Sequence, residues 1–433
     1  MVDNVIRLPR PAAARPQSGR LGLYLRPGYS QHKEMLDALA GGKTQFTGLV
    51  VDAGNIAHRH QELVSHAHRI GLDVILDPKT QAMATPGGHT ASMAQLPWGL
   101  DRPHTLDDFD GANGRGIARS IAEFAKEHGC TEILGPTHLL NGPNDRWLRR
   151  DINNMSHLRT ALDEDGSAVQ LIYPLAVSMQ IMRDPLQRDA LIAALADAPM
   201  DAIWLKIDNF GSDASGEKTI AYIHAVRAFH ALGKPVIADH VGGLSALGLL
   251  SFGAVGGIAH GLTMLEGFKA NRWKRVPTED RSSGGPQSRV YLPHIDLLLK
   301  PTEAEAFVSS STRTRGRFGC HDTHCCPGGL RDMIANPIRH FLHQRCEEVA
   351  QVSHRPESVR VGEYLDKSVR PVSDNISAAV GLGAISSELK KKLEKKQKHM
   401  GGFREAVSHL AEVDSMPSRS NAPPTRYERE NRA

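Results

Sequence analysis

The chain has 433 residues, 40% of them apolar and 23% charged, with a formal net charge of +4. That is enough for one large domain with an addition, and too little charge for a polyanion binder acting by bulk charge. No apolar run is long enough to span a bilayer, and MVDNVIRLPRPAAARPQSGR lacks the apolar core of a secretory signal. A disordered leader over residues 1–20 on a cytoplasmic protein is expected.

Eight strand-like runs follow, beginning at Leu21, Thr47, Leu72, Thr131, Ala168, Asp201, Lys234 and Ala254. The pattern is clearest from Thr47 to Thr80. There TGLVVDAGN and GLDVILDPKT are short β-branched runs, each ending in a carboxylate beside Gly or Pro. Such runs read as strands buried on both faces. Between them IAHRHQELVSHAHRIG carries apolar positions at helical spacing and stops at Gly71. Eight β/α repeats without a Gly-rich dinucleotide fingerprint predict a (β/α)8 TIM barrel over residues 21–266 rather than a doubly wound sheet. The long connection from Ala82 to Gly114 reads as a lid or substrate wall.

Beyond the barrel, residues 267–317 read as an irregular basic connection. A segment with clustered Cys and His, followed by a helical extension, occupies residues 318–415. Residues 416–433 (MPSRSNAPPTRYERENRA) have the composition of a disordered tail.

In a TIM barrel the C-terminal strand ends face the active site. Arg26, Asp52, Asp77, Lys79, His138, Tyr173, Lys206, Asp208, Asp239, His240 and His260 stand there. So many ionisable groups at one mouth would be costly unless used or solvated. Lys206, late in an apolar strand, is either a desolvated amine for Schiff-base or general-base chemistry or a salt-bridge partner of Asp208 or Asp239. Asp77 and Lys79 are an acid/base pair or a plain turn. Gly242 and Gly243 let backbone approach a ligand where barrels often hold phosphate, or serve packing alone.

GCHDTHCCPGG gathers Cys320, His321, His324, Cys325 and Cys326, and His340, His343, Cys346 and His354 follow. Four N/S ligands, some from a tight turn and the rest from a following helix, would make a tetrahedral zinc site. Free thiols and surface histidines are the plainer reading.

This segment resembles the queuine/archaeosine tRNA-guanine transglycosylase family, (β/α)8 barrels with a zinc site after the last strand. Cys320, Cys325 and Cys326, then Arg339-His-Phe-Leu-His343 and His354, are similar to that family's zinc region. Asp52-Ala-Gly54 is similar to its Asp-Ser-Gly turn, and Asp77 stands where its base-gripping Asp does. The resemblance implies a structural Zn2+ on Cys320, Cys325, Cys326 and His354, and base exchange or removal on tRNA or DNA. Strand eight carries no carboxylate, so Asp239 would be the nucleophile and Asp52 the acid/base. Asp77, Lys79, His138, Asp208, His240, Gly242, Gly243 and His260 would line the substrate pocket. The basic stretches Arg272–Arg275, Arg313–Arg317 and Lys390–Lys398 could track phosphates. A homodimer is compatible with the chain; a membrane partner is not expected. Two other readings stand: a small-molecule lyase or aldolase using Lys206, and a non-catalytic barrel that serves as a binding partner.

Overall fold

The computed structural model describes residues 20–41, 45–275, 288–382, 385–414 and 418–430; the expected leader therefore lies almost wholly outside the described residues. Eight parallel strands close a barrel: β1 (Gly22–Arg26), β2 (Gly48–Asp52), β3 (Asp73–Asp77), β4 (Glu132–Leu134), β5 (Gln170–Ser178), β6 (Ala202–Asp208), β7 (Val236–Asp239) and β8 (Gly257–Gly261). Each pairs with the next, and β8 pairs back onto β1 from Gly22↔Gly257 to Arg26↔Gly261. The protein is a (β/α)8 TIM barrel, and all eight expected strands are present.

The period-two alternation of each strand sorts the residues into layers. Tyr24, Val50, Ile75, Leu134, Ile172, Trp204, Ile237 and Ala259 form the packed centre of the barrel. Two residues further along five of these strands stand Arg26, Asp52, Asp77, Lys206 and Asp239, so the apolar plug carries a charged layer at its C-terminal end. Two residues earlier stand Asp73 and Glu132, a second charged layer at the opposite end.

Helices alternate with the strands, from His32–Ala40 after β1 to Gly243–Ser251 after β7. The helix completing the ring is Pro337–Ser353, which packs against both His32–Ala40 and Gly243–Ser251. The extension that follows the barrel in sequence thus supplies the barrel's missing eighth helix. The connection expected to be irregular is partly ordered: Val290–Leu292 and Leu297–Leu299 form a hairpin, and Pro301–Val308 and Thr312–Phe318 are helices. Pro301 sits in the first helical turn, where its missing N–H costs nothing. The helix Ser387–Val413 packs on Gly216–Arg227 and Arg370–Val380.

The tail is a clear departure from expectation. Residues 418–430 run under the N-terminal end of the barrel, and Arg426–Glu430 is helical. Composition argued for disorder because the segment has few apolar groups to bury; its polar groups instead find fixed partners on the barrel. Among the described residues no helix is long and apolar enough to cross a membrane.

Candidate active site and metal centre

At the barrel mouth Arg26 organises the charges. Its Nε and Nη2 each donate to Asp239 at 2.9 Å, and its Nη1 donates to Asp77 at 2.7 Å. Asp52 is 3.8 Å away, and its other oxygen lies 3.3 Å from Lys79 Nζ. Burial opposes the charges of Arg26, Asp77, Lys79 and Asp239, but the attraction of their partners outweighs it. Arg26 is held protonated above its ordinary range by Asp239 and Asp77. For Asp77, burial pushes up, but Lys79 and Arg26 hold the carboxyl well below the usual range. Asp239 is likewise held low against burial, chiefly by Arg26. Its Oδ1 also accepts from the His240 backbone N–H. With its side chain 0% exposed, Asp239 is a sealed counter-ion and not a carboxylate open to substrate. Asp52, 35% exposed, is the open one.

Lys206 answers to different forces. Burial lowers its pKa, and neighbouring Arg26 and Lys79 add to that, against the pull of Asp239 and Asp77. Asp239 is 3.7 Å away and already committed to Arg26. The close partner of the amine is Gln81, whose Oε1 accepts from Nζ at 2.9 Å. The Gln81 amide cannot turn, because its Nε2 donates to Thr137 Oγ1 at 3.0 Å and to Pro174 O at 3.1 Å. Phe268 and Trp273 roof the amine, with ring centroids 5.9 and 5.5 Å away. Gln81, Phe268 and Trp273 escaped the sequence reading because none belongs to a barrel strand.

The other expected site residues divide. Lys79 and His240 belong to the mouth. The His240 imidazole is pushed down to about 3, chiefly by burial, and stays neutral beside Asp239. Asp208 reaches the rim but is engaged, its Oδ1 accepting the Ala270 N–H at 2.7 Å and so holding the Phe268–Trp273 roof. A cavity of about 310 Å³ lies there, lined by Asn141, Ser178, Asp208 and Lys274 among others. His138 is not in the mouth: it is buried, bonded to Asp151 at 2.7 Å and stacked on Trp147. His260 follows the inward Ala259 and so faces out of the barrel, edge-on to Phe341. Tyr173 is outward for the same reason of parity. Gly242 and Gly243 offer no phosphate site, because the start of their helix is filled. Cβ atoms there would meet Glu266 Oε1 at 2.0 Å and Asp296 Oδ1 at 2.8 Å. Arg345 and Lys396 neutralise those two carboxylates.

Backbone strain gathers at the same end. Lys79, Asn209, His240, Thr263 and Leu265 all have φ between 59° and 62° and all follow barrel strands. Left-handed residues other than glycine cost on the order of 1–3 kcal/mol each and persist where the surroundings over-determine them, characteristically at functional sites.

Outside the barrel, Cys320, Cys325, Cys326 and His340 bring their ligand atoms within 4.8 Å of one another. His340 Nδ1 is 3.3 Å from Cys325 Sγ and 3.5 Å from Cys326 Sγ. Its Nε2 lies 2.9 Å from the Tyr291 carbonyl, which can only accept. Nε2 therefore carries the proton and Nδ1 keeps its lone pair for a metal. Three thiols and one aimed imidazole nitrogen are a donor set that could bind a metal ion, and they suit tetrahedral zinc. The fourth ligand expected from sequence was His354. It stands fourteen residues further along the same helical stretch, about 21 Å at 1.5 Å per residue, and is out of reach. His343 instead ties the cysteine turn to the helix through Asp322 at 2.7 Å.

No family model and no curated protein matches the chain. Among solved structures it is similar to a chitinase from Chromobacterium violaceum at 12% identity, covering 51% of this chain and 68% of that one, with a TM-score of 0.34. It is similar to a GH10 xylanase from Bispora at 11%, over 55% and 82%, TM-score 0.36. It is also similar to 2,3-dimethylmalate lyase at 14%, over 51% and 66%, TM-score 0.29. The barrel assignment rests on the strand pairing and not on these matches, and none of them carries an argument about activity.

Proposed function

We propose that the protein is an enzyme working at its barrel mouth, with Lys206 as a Schiff-base nucleophile toward a small carbonyl compound, in the manner of a lyase or aldolase. One observation carries this reading: a buried amine whose charge is disfavoured, pinned by a fixed amide acceptor rather than by a dedicated counter-ion. A structural lysine would be expected to have a carboxylate of its own, and Arg26 has taken both oxygens of Asp239. In the reaction the amine lone pair adds to the carbonyl carbon. Loss of the oxygen as water leaves an iminium, which takes up the electron pair of the bond that breaks, and water later releases product and free amine. Asp52, exposed at the rim, is the group assigned to proton transfer. Borohydride reduction with pyruvate, glyoxylate or glycolaldehyde present, read by peptide mass, should attach one adduct to Lys206 and none in Lys206→Met. Adducts on surface lysines alone would sink the proposal.

A second reading, transglycosylase-like base exchange on tRNA or DNA, is favoured by the cysteine–histidine cluster on the helix that completes the barrel. In that case Asp52 rather than the sealed Asp239 has to face the sugar. Incorporation of labelled guanine into tRNA, lost in Asp52→Asn and kept in Lys206→Met, would select this reading. We assign the cluster a structural Zn2+.

A further inference from the structure

The floor of the barrel presents an unusual pair. Asp73 and Glu132 point into its N-terminal end with side chains 1% and 5% exposed. Two carboxylates at that depth cannot both stay ionised unless a cation joins them. Arg429 reaches both from 297 and 356 residues away in sequence and draws both carboxyls down against burial, which still leaves Glu132 pushed up to about 8 and Asp73 above its ordinary range. Its Nη1 donates to Glu132 Oε1 and to the Pro424 carbonyl, both at 2.7 Å, and its Nη2 donates to Asp73.

A second, independent set of observations concerns backbone. Ser420 extends the floor, its N–H donating to Gly253 O at 2.9 Å and its Oγ accepting the Val236 N–H at 3.0 Å. A Cβ on Gly256 would stand 2.0 Å from Asn421 O, and one on Gly22 would stand 3.0 Å from Pro423. The first approach would be impossible with any side chain, so the barrel floor is shaped for a chain to cross it. Arg419 bonds the carbonyls of Ser251 and Glu357 and ties the crossing to the helices on one side. Arg426 lies 3.1 Å from His68 on the other. Thr425 caps the final turn by its bonds with Glu428, which presents Arg429 upward.

We propose that the barrel floor is a guanidinium-recognition site, built from Asp73 and Glu132, which residues 418–430 of the chain's own C-terminal segment occupy as a strap with Arg429 as its key. The ligand class is an arginine side chain carried on an extended Pro-containing segment. Binding closes the end of the barrel opposite the mouth and clamps the helical extension to it, since Arg227 also holds Asp414 at the end of the long helix through two bonds of 3.1 and 2.6 Å. The strap is independent of the chemistry proposed at the mouth.

The test uses the full-length chain and amide hydrogen exchange. The Ser420 amide should be protected in the wild type, and Arg429→Gln should speed its exchange by about tenfold or more, the scale of losing charge-assisted bonds, while Leu205 in β6 stays unchanged. Wild-type exchange at the free-peptide rate, or an Arg429→Gln strap as protected as the wild type, would overturn the proposal. As a second measurement, a protease site placed in residues 415–417 is cut after folding, and labelled peptide 418–430 is added. The peptide should exchange with the bound segment, and its Arg429→Gln version should bind at least about tenfold more weakly. Equal binding of both peptides, or prompt loss of the cut segment, would also overturn it.

Discussion

The charges at the mouth do different jobs according to how far water reaches them. Arg26, enclosed and triply bonded to carboxylates, is structural in the sense that removing it strands Asp77 and Asp239 in the interior. Arg26→Met should cost about 3–5 kcal/mol at pH 7, the range for breaking a buried pair by deleting one partner. Both aspartates have folded pKa values held below the ordinary range. Their ionised forms therefore stabilise the fold above about pH 4, and that stability is lost as the pH falls through the folded values. Urea unfolding of wild type and Arg26→Met should accordingly differ most near pH 7 and begin to converge only as the pH falls below about 4 toward the folded values; a gap that stayed constant would show that the pairing energy resides elsewhere. Gln81 acts on Lys206 through orientation. Gln81→Leu removes an acceptor that favours the ammonium, so the Lys206 pKa should fall further, and Gln81→Glu should raise it. NMR titration of 13C-methylated lysines would read both directions, and no movement in either variant would mean that the amide is packing alone.

Among the elements, the helix Pro337–Ser353 carries the most. It closes the helical ring and presents His340 to the cysteine turn, so a metal bound there would tie the cysteine turn to barrel closure. One zinc per chain is expected by elemental mass spectrometry, lost in Cys326→Ser and His340→Ala and retained in His354→Ala. The reverse result for the two histidines would restore the ligand set expected from sequence. The alternation Val50, Asp52 and Ile75, Asp77 made the barrel strands and their terminal charges legible, because period two and turn residues act locally. The histidine that joins the cysteine cluster, His340, was not legible. Choosing between His340 and His354 depends on where the helix starts relative to the turn, which spacing to the cysteines alone does not give. Nor was the Gly242–Gly243 turn, whose glycines make room for Glu266 and Asp296 from the chain beyond β8.

At the scale of the whole molecule, the apolar plug of the barrel separates two charged layers, one closed by the protein and one left near solvent. The floor layer is capped by Arg429, whereas the mouth layer keeps Asp52 and Lys79 partly exposed. Composition alone made residues 418–430 look disordered, since low apolar content predicts weak burial. Asp73 and Glu132, at the starts of their strands, were the counter-signal, visible only once the strands were stacked into a barrel. Lys206 titrates in the same sense as the aspartates, in a higher pH window. Its folded pKa is depressed, so the folded state binds fewer protons and stability should rise with pH from that folded value to about 10.4.

The most direct measurement is the pH dependence of Lys206 acylation in competition with the other lysines, followed by peptide mass spectrometry. A Lys206 midpoint clearly below the exposed lysines' value of about 10.4, shifted upward in Gln81→Glu, is the predicted result. A midpoint at or above that of the exposed lysines would make Lys206 a permanent ammonium, and the mouth would then have no nucleophilic amine.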